Sequence, residues 1–448
     1  MPRRSGTALA VVLLMMLAAG PASAAAPRPS APGLAGLPTL APGQPLVLSP
    51  AQADAALAEA RARAAEARAA EARAAEARAG QSRAVGAAAA PVPPPPPGPR
   101  PPGAHGQGDP IIGHYNADPY PDEAFLGTVG STLCSVIVRY GTPGGGFGFP
   151  IAYVYLAPGL EPGGVVNCPD LGTAVDLNDD GFDELAVSWF AGPPRTVPYN
   201  LLVLRHDTFQ PDFGLVANTI FQPSWMGTAR FSPRGRDVYQ VNDQLLGYVT
   251  YVSDGTGQLE PGPERWCSVP DRVQLRDFNL NGQQDALVTY ILQCDDRSSG
   301  VVVVLDDGTF QRLHVDPTGV GTWTATIVDA NGDRYPDVRT VRTQSGQVDI
   351  FINMGNGRFV LAPRAVNESF TVPGNRSSLL DVLANDYATP ATTVSIVRPP
   401  RYGTARVTAG RAVAYTPGPG HPSSDSFGYR LTLNGRTSDA TVSLRITG

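Results

Sequence analysis

Three nine-residue stretches carry the clearest chemistry in this sequence. They are Asp176-Leu-Asn178-Asp-Asp180-Gly181-Phe182-Asp-Glu184, Asp277-Phe-Asn279-Leu-Asn281-Gly282-Gln283-Gln-Asp285 and Asp329-Ala-Asn331-Gly-Asp333-Arg334-Tyr335-Pro-Asp337. Positions 1, 3, 5 and 9 bear a side-chain oxygen each time, and position 7 (Phe182, Gln283, Tyr335) can add its backbone carbonyl. Alternating oxygen donors in a tight loop suit a hard cation, and Ca2+ is the ion expected. Glycine at position 6 allows the sharp turn that wrapping requires, and Arg334 replaces it in the third loop. An EF-hand would need Glu at position 12, where Val187, Val288 and Thr340 stand, and each loop runs into a β-type segment rather than a helix. The competing reading is an Asp/Asn turn capped by its own side chains.

The elements around the loops read as all-β. From Ile111 onward, short apolar runs such as Val136–Tyr140, Leu185–Phe190, Leu201–Leu204, Leu287–Leu292 and Val301–Leu305 alternate with Gly, Pro, Asn and Asp turns. A turn-plus-apolar element recurs and ends at Leu160, Phe209, Leu259, Phe310 and Phe359, at spacings of 49, 50, 51 and 49 residues. A period of that length with several strands predicts about five propeller-like blades over 111–362. The loops recur in phase with it. The corresponding loop of another repeat, Arg230–Val238, lacks the carboxylates and keeps Gly235, and the first repeat shows no clear loop near Asp122–Ser131.

The loops and the DGTF-type turns together resemble the FG-GAP/VCBS repeats of integrin α-type propellers and bacterial exported proteins. That resemblance spans roughly 115–362 and implies a β-propeller with calcium in its inter-strand loops. Five units leave ring closure open. Further on, Asp381-Val-Leu-Ala-Asn-Asp386, Gly403-Thr404, Tyr415-Thr-Pro417, Asp425-Ser-Phe427-Gly-Tyr429 and Thr441–Ile446 follow one another. This stretch, 365–448, resembles a bacterial Ig-like, cadherin-like domain, which implies a β-sandwich. Asp386 and Asp425 are expected in turn and capping roles there.

The segment before residue 111 reads as export and spacing. Arg3 and Arg4, the apolar run Ala8–Ala19 and Ala22-Ser23-Ala24 predict a signal peptide over 1–24. Residues 25–48 read as a disordered linker. Ser49, Pro50 and Gln52 open a helix over 49–80, with a capping box and proline at the first turn. Its Ala-Ala-Glu-Ala-Arg repeat has a five-residue period, so the charges spiral and no fixed apolar seam follows. A solvated spacer roughly 45 Å long is expected. The Pro-rich stretch 81–110 should extend the stalk. No later run approaches the about 20 apolar residues of a membrane helix.

Composition narrows the function classes. No lysine occurs, which removes P-loop and Schiff-base chemistry. From Ile111 to Gly448 there are 24 Arg against 34 Asp plus Glu, a net of −10, which disfavours nucleic acid as a partner. The four cysteines have no CxxC spacing and suit an oxidising compartment, with Cys134–Cys168 and Cys267–Cys294 the preferred of three pairings. Five scattered histidines form no HExxH motif, and no GxSxG elbow occurs. The expectation is a secreted or cell-surface, calcium-binding, non-enzymatic adhesion or binding protein for an extracellular glycan or protein. The alternatives are a structural envelope or matrix protein and a propeller-type lyase or hydrolase.

Overall fold

The computed structural model describes residues 46–85, 104–129, 133–156, 168–190, 199–215, 222–242, 247–420 and 423–448. The expected signal peptide, most of the 25–48 linker, the polyproline run and the turn at 157–160 lie outside them.

After strand β1 (Leu46–Val47), helix α1 (Pro50–Val85) and strand β2 (His105–Gly106), five antiparallel four-stranded meanders follow in series. The first is β3 (Ile111–Gly113), β4 (Asp122–Val129), β5 (Leu133–Arg139) and β6 (Ile151–Tyr155). The second is β7 (Leu171–Val175), β8 (Glu184–Ser188), β9 (Leu201–Leu204) and β10 (Pro211–Leu215). The third is β11 (Trp225–Ala229), β12 (Asp237–Asn242), β13 (Gly247–Ser253) and β14 (Leu259–Trp266). The fourth is β15 (Val269–Arg276), β16 (Asp285–Ile291), β17 (Ser299–Val304) and β18 (Phe310–Asp316). The fifth is β19 (Trp323–Val328), β20 (Asp337–Arg342), β21 (Val348–Asn353) and β22 (Phe359–Ala362). β1 extends the first sheet beside β6, and β2 extends the third beside β11.

Successive residues of a strand point to opposite sheet faces, so the middle strands can feed two cores at once. Leu185 and Val187 pack toward the first sheet, while Ala186 between them packs toward the third. Val302 and Val304 face the third sheet, and Val301 and Val303 face the fifth. This two-sided burial explains why Val301–Val304 is an unbroken apolar run rather than an alternating one.

The two end faces are covered differently. The outer face of the first sheet (Phe125, Val129, Ile137, Ala152, Val154) packs against Ala53, Ala56, Leu57 and Ala60 of α1. On the fifth sheet, Ile350, Ile352 and Ala362 cluster with Leu433 of the C-terminal module. Neither face meets the other, so the described sheets form a capped row and not a closed ring.

This corrects the solvated-stalk expectation. Ala53, Ala56, Leu57, Ala60 and Ala64 are buried at i, i+3, i+4, i+7 and i+11, one helical face. The face was hidden because alanine also fills the exposed positions, so contrast along the sequence is low. Contact is close: a Cβ on Gly108 would lie 2.6 Å from the Ala64 Cβ. Arg61 stacks over Phe125 at 5.2 Å, and Arg68 pairs with Asp109 at 3.2 Å. The linker boundaries shift accordingly. Leu46 pairs in register with Val154, α1 continues to Val85, and His105 pairs with Met226.

The C-terminal module is a two-sheet sandwich. β23 (Glu368–Pro373), β29 (Arg436–Thr447), β28 (Ser424–Leu433) and β25 (Thr393–Arg398) form one sheet in that order. β24 (Ser378–Leu380), β27 (Val413–Pro417) and β26 (Gly403–Val407) form the other. Phe427, Tyr429, Leu431, Val442 and Leu444 are buried between the sheets. Asp386 accepts hydrogen bonds from the Val366 amide at 2.7 Å and the Tyr429 hydroxyl at 2.8 Å. Asp425 accepts the Arg401 and Tyr402 amides, each at 3.0 Å. Both carboxylates therefore cap turns.

Cys134 is joined to Cys168 and Cys267 to Cys294, closing loops with sequence separations of 34 and 27. In the chain-entropy account each is worth about 3–4 kcal/mol.

At the junction of row and module, the Arg436 guanidinium grips the Asp349 carboxylate with two hydrogen bonds. Burial would raise Asp349, but Arg436 holds its carboxyl below the usual range. His314 stacks on Trp323 at 5.1 Å beside them, and burial pushes its imidazole down to about 4. The folded state thus favours neutral His314, whereas the unfolded side chain takes a proton near pH 6.5. Its contribution is complete above that pH and is lost as pH falls toward about 4, by at most ~3 kcal/mol. Urea titrations of the wild type and His314→Gln should converge in stability over that interval. Parallel pH curves would refute this assignment.

Candidate metal centre

All three acid-rich loops connect the first and second strands of their meanders: β7–β8, β15–β16 and β19–β20. The same connection in the first and third meanders adopts the same frame. In each, the amide of position 2 donates to the carboxylate that opens the next strand. These bonds are Tyr115–Asp122 at 2.9 Å, Leu177–Glu184 at 3.0 Å, Phe231–Asp237 at 2.7 Å, Phe278–Asp285 at 2.7 Å and Ala330–Asp337 at 2.8 Å.

The β3–β4 loop is therefore a fourth equivalent, at 114–122 rather than near Asp122–Ser131. Asn116-x-Asp118-x-Tyr120-Pro121-Asp122 repeats the spacing of Asn331-x-Asp333-x-Tyr335-Pro336-Asp337. His114 at position 1 and Pro119 at position 6 concealed it.

The last carboxylate does double service. Its second oxygen accepts an amide from the end of the third strand or the turn beyond it. The donors are Gly141 to Asp122 at 2.8 Å, Ser253 to Asp237 at 2.9 Å, Asp306 to Asp285 at 2.8 Å and Asn353 to Asp337 at 2.8 Å. Asp122, Asp237, Asp285 and Asp337 are all 0% exposed. Glu184 is the exception, since its Oε1 lies 3.3 Å from the His206 imidazole. Burial raises most of these acids despite the amide bonds. Asp285 reaches about 7, with Asp306 adding, and Asp337 about 6, with Asp333 and Asp329 adding. Glu184 and Asp122 rise for the same reason. Buried carboxylates held up in this way would be relieved by a nearby cation.

Positions 1, 3 and 5 cap the loop's own backbone. The position-6 amide donates to the first aspartate: Gly181 to Asp176 at 3.0 Å, Gly282 to Asp277 at 2.8 Å and Arg334 to Asp329 at 3.2 Å. Asn178, Asn279 and Asn331 accept the position-5 amides. Asp180, Asn281 and Asp333 accept the amides of Phe182, Gln283 and Tyr335. The side chains that could ligate a cation thus also support the turn, and a carboxylate oxygen accepting one N–H keeps a lone pair. Gly181 has φ 91° and Gly282 φ 86°, so glycine suits both. In the third loop Arg334 itself takes φ 74°, which costs backbone strain.

Three participants escaped the sequence reading. Arg236, in the carboxylate-poor loop, pairs with Asp176 at 2.5 Å and Asp179 at 2.7 Å. Asp306 accepts the side-chain amides of Asn279 and Asn281, both at 3.0 Å. His206 approaches Asp180 and Glu184. His206 and Asp306 both lie in the third-to-fourth-strand turn that recurs in phase with the loops, and that phase was the available signal.

Asp176 is 7% exposed and its Oδ1 has no hydrogen-bond partner, an orphaned buried oxygen in the loop. The first acid-rich loop therefore fits a hard cation in donor type. The fit is weakened at Asp176 Oδ2, where a guanidinium already sits.

A family model described as a bacterial Ig domain matches residues 361–447. The C-terminal sandwich is thus similar to that family, starting four residues before the expected boundary. No FG-GAP or VCBS repeat model matches the meanders. No curated protein matches the chain.

Proposed function

We propose that this chain is an exported, non-enzymatic binding or adhesion protein whose five meanders are propeller-type blades set in an open row and stabilised by Ca2+. One observation carries the calcium reading: a single bonding frame recurs in register, and in three of its loops an aspartate at position 1 joins the oxygen donors at positions 3, 5 and 9. Asp176, Asn178, Asp180, Glu184 and the Phe182 carbonyl would hold one ion. Asp277, Asn279, Asn281, Asp285 and the Gln283 carbonyl would hold a second, and Asp329, Asn331, Asp333, Asp337 and the Tyr335 carbonyl a third. The ion's role is electrostatic, since it would offset carboxylates that burial leaves poorly solvated. Similarity of the last module to a bacterial Ig domain supports an extracellular adhesive or spacer role. The two disulfides support an oxidising location. A glycan or protein on the outside of a cell remains the partner class proposed.

Calorimetry tests the calcium reading. Saturating Ca2+ should raise the melting temperature above that in EGTA, the stabilisation being about 2.7 kcal/mol per site at a hundredfold excess over Kd. Mg2+ should do less, since it demands tighter octahedral geometry. Identical melts in Ca2+ and EGTA would remove the claim.

A further inference from the structure

The acid-rich loop of the second meander differs from the other two because an imidazole faces it. His206 Nδ1 lies 3.3 Å from Glu184 Oε1 and 4.0 Å from Asp180 Oδ2. The three ligating atoms all lie within 4.8 Å of one another. Adjacent donors on a tetrahedral Zn2+ at about 2.05 Å stand roughly 3.3 Å apart. The Glu184–His206 pair already has that separation, and Asp180 Oδ2 stands 4.0 Å from the imidazole and would have to move in to join them.

Each donor is also held by its neighbours, Glu184 through its other oxygen and Asp180 through both. Glu184 Oε2 accepts the Leu177 amide at 3.0 Å. Asp180 accepts the Phe182 amide at 2.9 Å and the Asn178 side chain at 3.0 Å. The His206 ring stacks on Phe182 at 4.8 Å and 24°. Such outer contacts fix ligand orientation before an ion arrives. The other end of the loop has a resident cation, because Arg236 holds Asp176 and Asp179. Even so, Asp176 keeps one buried oxygen with no donor, so the guanidinium does not exhaust the loop's demand for positive charge.

Ca2+ takes oxygen ligands, whereas imidazole suits zinc and its transition-metal neighbours. We propose that Asp180, Glu184 and His206 form a site for a borderline divalent ion of the Zn2+ class, which takes two of the ligands read above for calcium and is selected by the histidine. This rests on reading the loop as cation-binding, but it changes the ion and names the residue that discriminates. The equivalent position holds Asp306 in the fourth meander and Asn353 in the fifth, so the histidine is particular to the second meander.

The test is calorimetric titration of the tag-free full chain with ZnCl2 and, separately, CaCl2. One equivalent of Zn2+ should bind at least ~10-fold more tightly than Ca2+ at this site. His206→Gln should weaken Zn2+ by at least ~10-fold and leave the calcium-dependent melting shift in place. Asp180→Asn, at a more exposed position, should weaken it too, whereas His114→Gln should not. Co2+ added to the wild type should show visible absorption that His206→Gln loses. Unchanged Zn2+ affinity in His206→Gln, or no stoichiometric Zn2+ binding, overturns the proposal. Loss of the calcium shift with zinc binding intact would overturn only the calcium reading.

Discussion

Asp237→Ala should be among the most destabilising single substitutions in the repeat row, at about 3–5 kcal/mol. Asp237 is 0% exposed and accepts three hydrogen bonds: from the Phe231 amide at 2.7 Å, the Ser253 amide at 2.9 Å and the Ser232 hydroxyl at 2.9 Å. Alanine would strand these donors in or near the interior, and each unsatisfied buried group costs about 1–3 kcal/mol. A domain with a total stability of about 5–15 kcal/mol feels such a loss strongly. Asp237→Asn retains one acceptor oxygen but turns an NH2 toward a donor, so an intermediate loss of about 2 kcal/mol is expected. The position is informative because its loop, Arg230–Asp237, lacks the acidic ligands of the other loops. The loss should therefore be the same in Ca2+ and in EGTA. Urea denaturation measures it directly. A cost below about 1 kcal/mol would show that the shared carboxylate is not what ties loop to hairpin.

The second large effect concerns the helix over the first sheet. Ala56 is 2% exposed and belongs to the cluster with Phe125, Ile137 and Val154. Ala56→Glu would place a carboxylate against that apolar face, at a cost of about 3 kcal/mol or more, or the helix would lift away. Ala58→Glu, two residues along and exposed, should stay within about 0.5 kcal/mol of the wild type. Once undocked, the helix would become protease-sensitive, and the bared Val, Ile and Phe face would promote self-association. Limited proteolysis and size-exclusion chromatography read both consequences. Equal behaviour of the two variants would return α1 to the solvated stalk that its five-residue repeat suggests.

Those two residues show where reading along the chain runs out. Asp237 could be seen as a retained acid in a degenerate loop, but its bond to Ser253 spans 16 residues. That bond exists only because β12 and β13 pair with Tyr251 opposite Val238. Ala56 carries no local signal, because its neighbours Ala55 and Ala58 are the same residue with different exposures. His206 lies 22 residues from Glu184 in sequence and meets it through the β8–β9 pairing, in which Leu185 stands opposite Leu204.

By itself the sequence determined the β-rich class, the 50-residue spacing, the places of the Asp/Asn loops and the start of the C-terminal sandwich to within a few residues. Each rests on interactions a few residues apart: Asn and Asp oxygens bonding amides two positions on, and alternation along a strand. Such terms are local and survive without knowledge of the partner strand. Only the tertiary structure decided that the row is capped by a helix and a sandwich, that Arg236 sits on Asp176, and that His206 rather than another acid faces the second loop. These depend on strand register and on which apolar face remains uncovered once neighbouring sheets have packed, and both are properties of the whole row.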